Sequence, residues 1–222
     1  MKYIVVDLEM NPLSKTYIEE RKICNNEIIE IGAVVLDEEY KEIDSFETLV
    51  KPQLNSKVER RIEKLTGVTT EMVSLAPFFK DAIKMFFSWC DSIKEDIQIF
   101  QWSDSDYEQI NKEIYLKGYE LTERQKELLI GWCDFQKEFG EILGLERRLS
   151  LKNALMYAGV DFKGKEHNAL FDARNTATLV TIVRTPELCK QALENVINAL
   201  TPKPINTSLG EMFDFSQLSL SA

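Results

Sequence analysis

The stretch Lys2-Tyr3-Ile4-Val5-Val6-Asp7-Leu8-Glu9-Met10 reads as a buried central strand. It is an apolar, β-branched run, and nothing resembling a helix start precedes it. Two carboxylates, Asp7 and Glu9, stand at its end. Strand side chains alternate between faces, so residues two apart point the same way. Asp7 and Glu9 are therefore expected side by side, where an open α/β sheet usually places its active site. Carboxylates this close repel one another unless one takes up a proton or a cation lies between them. A hard divalent cation held through carboxylate oxygens meets that need. A solvated strand tip is the bland alternative, so the later acidic residues decide.

With 222 residues, 44% of them hydrophobic and 29% charged, the chain can bury a sizeable core. The expected organisation is one domain over residues 1–200 and a C-terminal tail over 201–222, which holds Pro202 and Pro204. No apolar run is long enough to span a bilayer, and Met1–Val6 is too short for a signal peptide. Cys24, Cys90, Cys133 and Cys189 lie far apart, with no C-x-x-C pair. Reduced thiols in a cytoplasmic protein without membrane contact are the expectation. A formal charge of −10 argues against a protein that coats nucleic acid through a broad basic face. It leaves room for an enzyme gripping a few nucleotides at one metal-loaded cleft. Lys57, Arg60, Arg61 and Lys64, then Arg147, Arg148 and Lys152, then Lys163 and Lys165 form local basic clusters, each readable also as a solvated face.

Along the chain, Glu27–Asp37 and Lys41–Lys51 read as second and third strands joined by short turns, an antiparallel meander. Ser56–Leu65 carries a helical pattern stopped by Gly67, and Phe78–Ser92 a stronger one. Asp96–Gln101 reads as a fourth strand followed by a helix over Ser105–Lys117, and Leu128–Cys133 as a fifth strand. Helices are expected over Phe135–Leu143, Ser150–Tyr157, Asn168–Val183 and from Pro186 to about Leu200. These elements describe an α/β fold: a mixed five-stranded sheet, antiparallel meander plus parallel strands, flanked by helices.

Two further acidic sites follow. Trp102-Ser103-Asp104-Ser105-Asp106 ends the fourth strand and opens a helix. Asp104 or Ser105 suits a helix cap, and Asp106 suits the positive end of the helix dipole. His167-Asn168-Ala169-Leu170-Phe171-Asp172-Ala173-Arg174 holds the only histidine of the chain, just ahead of a helix bearing Asp172. A carboxylate on the inner face of such a helix needs a partner, and a metal shared with Asp7 and Glu9 supplies one.

The order D-x-E on a first strand, W-x-x-x-D after a fourth and H-x-A-x-x-D-A on a late helix resembles the DEDDh family of 3′-to-5′ exonucleases. Leu65-Thr66-Gly67-Val68-Thr69 is similar to the family's L-T-G-I-T segment, and Leu151–Leu155 through Gly159-Val160 to the helix before its last motif. The resemblance runs from about Tyr3 to Arg184, with the RNA-end-trimming subgroup nearest. Two departures are Ser103, where the family often has glycine, and Met10-Asn11-Pro12 after the first motif. Neither removes a ligand. The resemblance implies an RNase H-like fold in which Asp7, Glu9, Asp106 and Asp172 hold two Mg²⁺ or Mn²⁺ ions and His167 is the general base. It implies a 3′ end of RNA or single-stranded DNA as substrate and a nucleoside 5′-monophosphate as product. Leu8, Met10, Leu65 and Trp102 are the candidate substrate contacts, with core packing as the competing role. A DNA proofreading or repair exonuclease, or an inactive nucleic-acid-binding relative, are the alternatives; retention of all four carboxylates speaks against the second.

Overall fold

The structure, a computed structural model, describes residues 1–200; the tail expected over 201–222 lies outside the described residues. The opening strand, β1 (Lys2–Pro12), occupies the middle of a five-stranded sheet. β2 (Asn26–Leu36) pairs antiparallel with β1, and β3 (Glu42–Leu49) antiparallel with β2. On the other side β4 (Ile97–Gln101) runs parallel to β1, and the two-residue β5 (Cys133–Asp134) parallel to β4. Turns suffice for the antiparallel pairs, whereas each parallel pair needs a long crossover, and helices fill those crossovers. A single turn, α1 (Glu20–Ile23), follows β1. Between β3 and β4 lie α2 (Arg60–Thr66), α3 (Thr70–Ser74) and α4 (Phe79–Ser92). Between β4 and β5 lie α5 (Ser105–Lys117) and α6 (Glu123–Leu128). After β5 come α7 (Phe135–Ile142), α8 (Leu151–Tyr157), α9 (Ala169–Arg184) and α10 (Pro186–Leu200).

The period-2 pattern of β1 divides the core into two layers. Ile4, Val6 and Leu8 pack with Phe79, Ile83, Phe86 and Phe87 of α4 and with Ile110 and Ile114 of α5. Val5 faces the other way, into a cluster with Phe135 and Phe139 of α7, Leu155 of α8, and Leu179 and Val180 of α9. Fully burying each such side chain contributes about 1.5–3 kcal/mol. A one-residue slip of β1 would exchange the two sets between the layers and carry Asp7 and Glu9 into the layer of Ile4, Val6 and Leu8, so the register is fixed. The same alternation sends Asp7 and Glu9 to the face of Val5, under α9.

The fifth strand differs from its expectation. Leu128 ends α6 instead of opening a strand. Thr122 and Gln125 start that helix with a reciprocal capping box, the Thr122 hydroxyl accepting from Gln125 N and the Gln125 side chain from Thr122 N. Leu128 and Leu129 then serve the core as a helix end, Gly131 turns the chain at φ +75°, and only Cys133 and Asp134 reach β4. The apolar run was too short to separate strand from buried helix end by pattern alone. The helix expected from Ser56 likewise begins later, at Arg60, though Gly67 stops it as read, at φ +82°.

Candidate active site

Asp7 and Glu9 lie on β1, opposite Gly32 and Glu30 of β2, and a register shift follows Glu9. Asp106 lies buried in the first turn of α5, which is fixed to the sheet by Gln101: its Oε1 accepts from Tyr107 N at 2.7 Å. Asp172 lies in the first turn of α9, and its Oδ2 accepts from the backbone N of His167 at 3.1 Å. Asp172 Oδ1 is buried with no hydrogen-bond partner.

These four carboxyls repel one another in a poorly hydrated place. Burial, then the charges of Asp106, Asp172, Glu9 and Glu30, holds Asp7 well above the usual carboxylate range. Burial, then Asp172, Glu30 and Asp106, pushes Glu9 up to about 8, with Lys165 opposing. Asp106 rises to about 8 through burial and then Asp172 and Asp104. Asp172 rises to about 7, mostly through burial, with the bond from His167 N working against it. Ligand atoms of Glu9, His167 and Asp172 all lie within 4.8 Å of one another. A buried, mutually repelling, oxygen-rich set with an orphaned oxygen fits a hard divalent cation. A cavity of about 160 Å³ opens beside His167 and Asp172, lined also by Lys152, Phe162 and Glu166.

Two residues that sequence reading missed hold α9 in place. Gly32 stands opposite Asp7, and a Cβ there would lie 2.2 Å from Leu170 N and 2.3 Å from Ala169 C. Glycine thus lets the start of α9 touch the sheet beside the carboxylates. Glu30, 3% exposed, accepts from Ala169 N at 3.1 Å and from Asn168 Nδ2 at 2.9 Å. Asn168 in turn caps α9, its Oδ1 accepting from Phe171 N at 3.1 Å. A charged residue amid the apolar run Ile28–Leu36 was the available signal. His167 is exposed in the turn before α9, at φ +61°.

The candidate substrate contacts are not equivalent. Leu65 is 46% exposed at the end of α2, and Met10 is half-buried beyond the register shift. Trp102 is buried against Phe135 and Phe139, with centroids 6.4 and 6.2 Å away, so its indole packs in the core. Leu8 is a correction: strand alternation buries its side chain in the opposite core layer, away from Asp7 and Glu9. Asp104 occupies the N-cap position of α5 without capping it; its carboxylate takes a two-pronged bond from Arg148, at 3.0 and 3.1 Å.

A sequence model described as Exonuclease matches residues 4–180. ERI1 exoribonuclease 2 of Mus musculus is 28% identical over 93% of this chain, which spans only 32% of that relative's length. Among solved structures, the nuclease domain of 3′hExo, a DEDDh family member bound to rAMP, superposes with a TM-score of 0.71 at 22% identity. That match covers 83% of this chain and 92% of the other. A 3′-exonuclease in 3′-end-specific recognition of a histone mRNA stem-loop gives a TM-score of 0.72 at 20% identity, over 83% of this chain and 82% of the other. The match over residues 4–180 covers most of the chain, and the chain belongs to the exonuclease family.

Proposed function

We propose that this chain is a metal-dependent exonuclease that removes nucleoside 5′-monophosphates one at a time from the 3′ end of RNA. The observation that carries this reading is the convergence of Asp7, Glu9, Asp106 and Asp172 from three elements, all pushed toward protonation, with an orphaned Asp172 oxygen beside His167. Such an array is unfavourable by itself, and divalent cations would relieve it. Two Mg²⁺ or Mn²⁺ ions held by these four residues would supply the positive charge that an in-line displacement at phosphorus requires.

The chain's own residues do the rest. An imidazole nitrogen of His167 accepts the proton of the attacking water as general base. Asp172, bonded to His167 N, keeps the turn that presents the ring. Leu65 and Met10 offer apolar surface to the terminal sugar and base. RNA comes first because the mouse relative is an exoribonuclease and the superposed structures hold rAMP or an RNA stem-loop. Single-stranded DNA is the competing substrate. A cytoplasmic setting fits the four free thiols, and among the described residues no helix is long and apolar enough to cross a membrane.

The test is digestion of 5′-labelled RNA and DNA of one sequence in Mg²⁺ or Mn²⁺. The expected result is a ladder shortening from the 3′ end with mononucleotide release, faster for RNA. Internal fragments, or loss of the 5′ label first, would refute the polarity.

A further inference from the structure

The turn that carries His167 is tied down at several points. Asn175 of α9 brackets Lys163: its Oδ1 accepts from Lys163 N at 3.0 Å, and its Nδ2 donates to Lys163 O at 2.8 Å. The Phe171 ring lies so close over Gly164 that a Cβ there would stand 2.4 Å from its Cδ1. Both contacts join the turn to α9, its own neighbour in sequence.

Lys165 does something different. Its side chain reaches the C-terminal end of α2, where Nζ donates to Thr66 O at 2.9 Å. The approach is so close that a Cβ on Gly67 would lie 2.2 Å from the same nitrogen. Thr66 directly follows Leu65, the exposed apolar residue at the end of α2. The Lys165 charge also acts on Glu9 and Glu30, opposing the effect of burial on both. One ammonium thus links the histidine turn to the Leu65 turn while facing the carboxylates. Lysine stems are flexible and usually leave their charge in water, so anchoring on a backbone carbonyl argues for a mechanical role.

We propose that Lys165 is a positioning residue that pins the His167 turn to the Thr66–Gly67 turn. Where His167 stands over Glu9 and Asp172 then depends on the contact that also shapes the Leu65 turn. The inference rests on the reading of His167 as proton acceptor.

Because the chain has a single histidine, its imidazole signal in NMR is unambiguous, and the tether can be read without turnover. Lys165→Met keeps the stem and removes the ammonium; Lys165→Arg keeps a donor. Lys165→Met should speed amide hydrogen exchange over 163–167 at least tenfold at unchanged melting temperature, and shift and broaden the imidazole signal. It should lower kcat at least tenfold with KM for RNA within twofold, and Lys165→Arg should recover most of both. In a His167→Ala background the same change should cost less than twofold, because the group it positions is gone. Unaltered exchange in Lys165→Met, or its full loss of rate persisting without His167, would overturn the proposal; the second would mean that Lys165 acts on the substrate directly. Wild-type rate in His167→Ala alone would instead refute the catalytic reading of the histidine, leaving the exchange data to decide the tether.

Discussion

Asp172 has two unlike oxygens. Oδ2 accepts the His167 N–H at 3.1 Å, while Oδ1 is buried and unpartnered. An unpaired buried carboxylate oxygen is costly, so the residue makes sense only with a proton or a cation on that side. His167 lies across from it, exposed, with a ring nitrogen within 4.8 Å of both the Asp172 and Glu9 oxygens. A general base typically contributes about 10²- to 10⁴-fold. His167→Ala should therefore lose turnover on that scale while still binding Mn²⁺ and a nucleoside monophosphate, both measurable by titration calorimetry. Near-wild-type turnover would make it a surface histidine. Asp7, Glu9, Asp106, Asp172 and His167 were all visible in the sequence, because D-x-E, W-x-x-x-D and H-x-A-x-x-D-A each keep a fixed spacing. Glu30 was not, because its donors, Asn168 and Ala169, lie 138 and 139 residues away.

The element that makes the site is α9, laid across β1 and β2 at the one point where the sheet lacks a side chain. Gly32 is that point, and the atoms a methyl group would meet are backbone atoms of Ala169 and Leu170, which cannot rotate aside. Overpacking typically costs about 1–3 kcal/mol. Gly32→Ala should lower the urea midpoint accordingly and displace Asp172, abolishing cation-induced stabilisation even under conditions where the variant stays folded. An unchanged midpoint would show that α9 can slide. Such approaches are hidden in sequence, since pairing of Gly32 with Asp7 and contact with α9 are both long-range. The strands were legible by contrast: β1 to β4 carry long apolar runs or clear alternation between turn residues. The weak spot was the last strand, where Leu128 and Leu129 gave the same apolar signal as a helix end.

For the whole molecule the concentrated acidity has a pH signature. A carboxyl whose folded pKa is raised binds its proton more tightly folded than unfolded. Its contribution is present below the ordinary carboxylate range near 4 and is lost as pH climbs to about 8, the value reached by Glu9 and Asp106, with Asp172 reaching about 7. The melting temperature in EDTA should thus fall between pH 5 and 8.5 through these groups. Mn²⁺ competes with those protons, so it should raise the melting temperature more at pH 8 than at pH 5. Equal stabilisation at both would place the cation elsewhere.

The most direct test of the account is release of labelled mononucleotide from the 3′ end of RNA, measured for the wild type and Asp7→Ala. The wild type should release it in Mg²⁺ or Mn²⁺, stop in EDTA and recover when the ion is restored. Asp7→Ala should fold at least as well, since it removes repulsion and not core volume, yet release nucleotide orders of magnitude more slowly. Undiminished release in EDTA, or by folded Asp7→Ala, would contradict the claim that these carboxylates are a metal-dependent exonuclease centre.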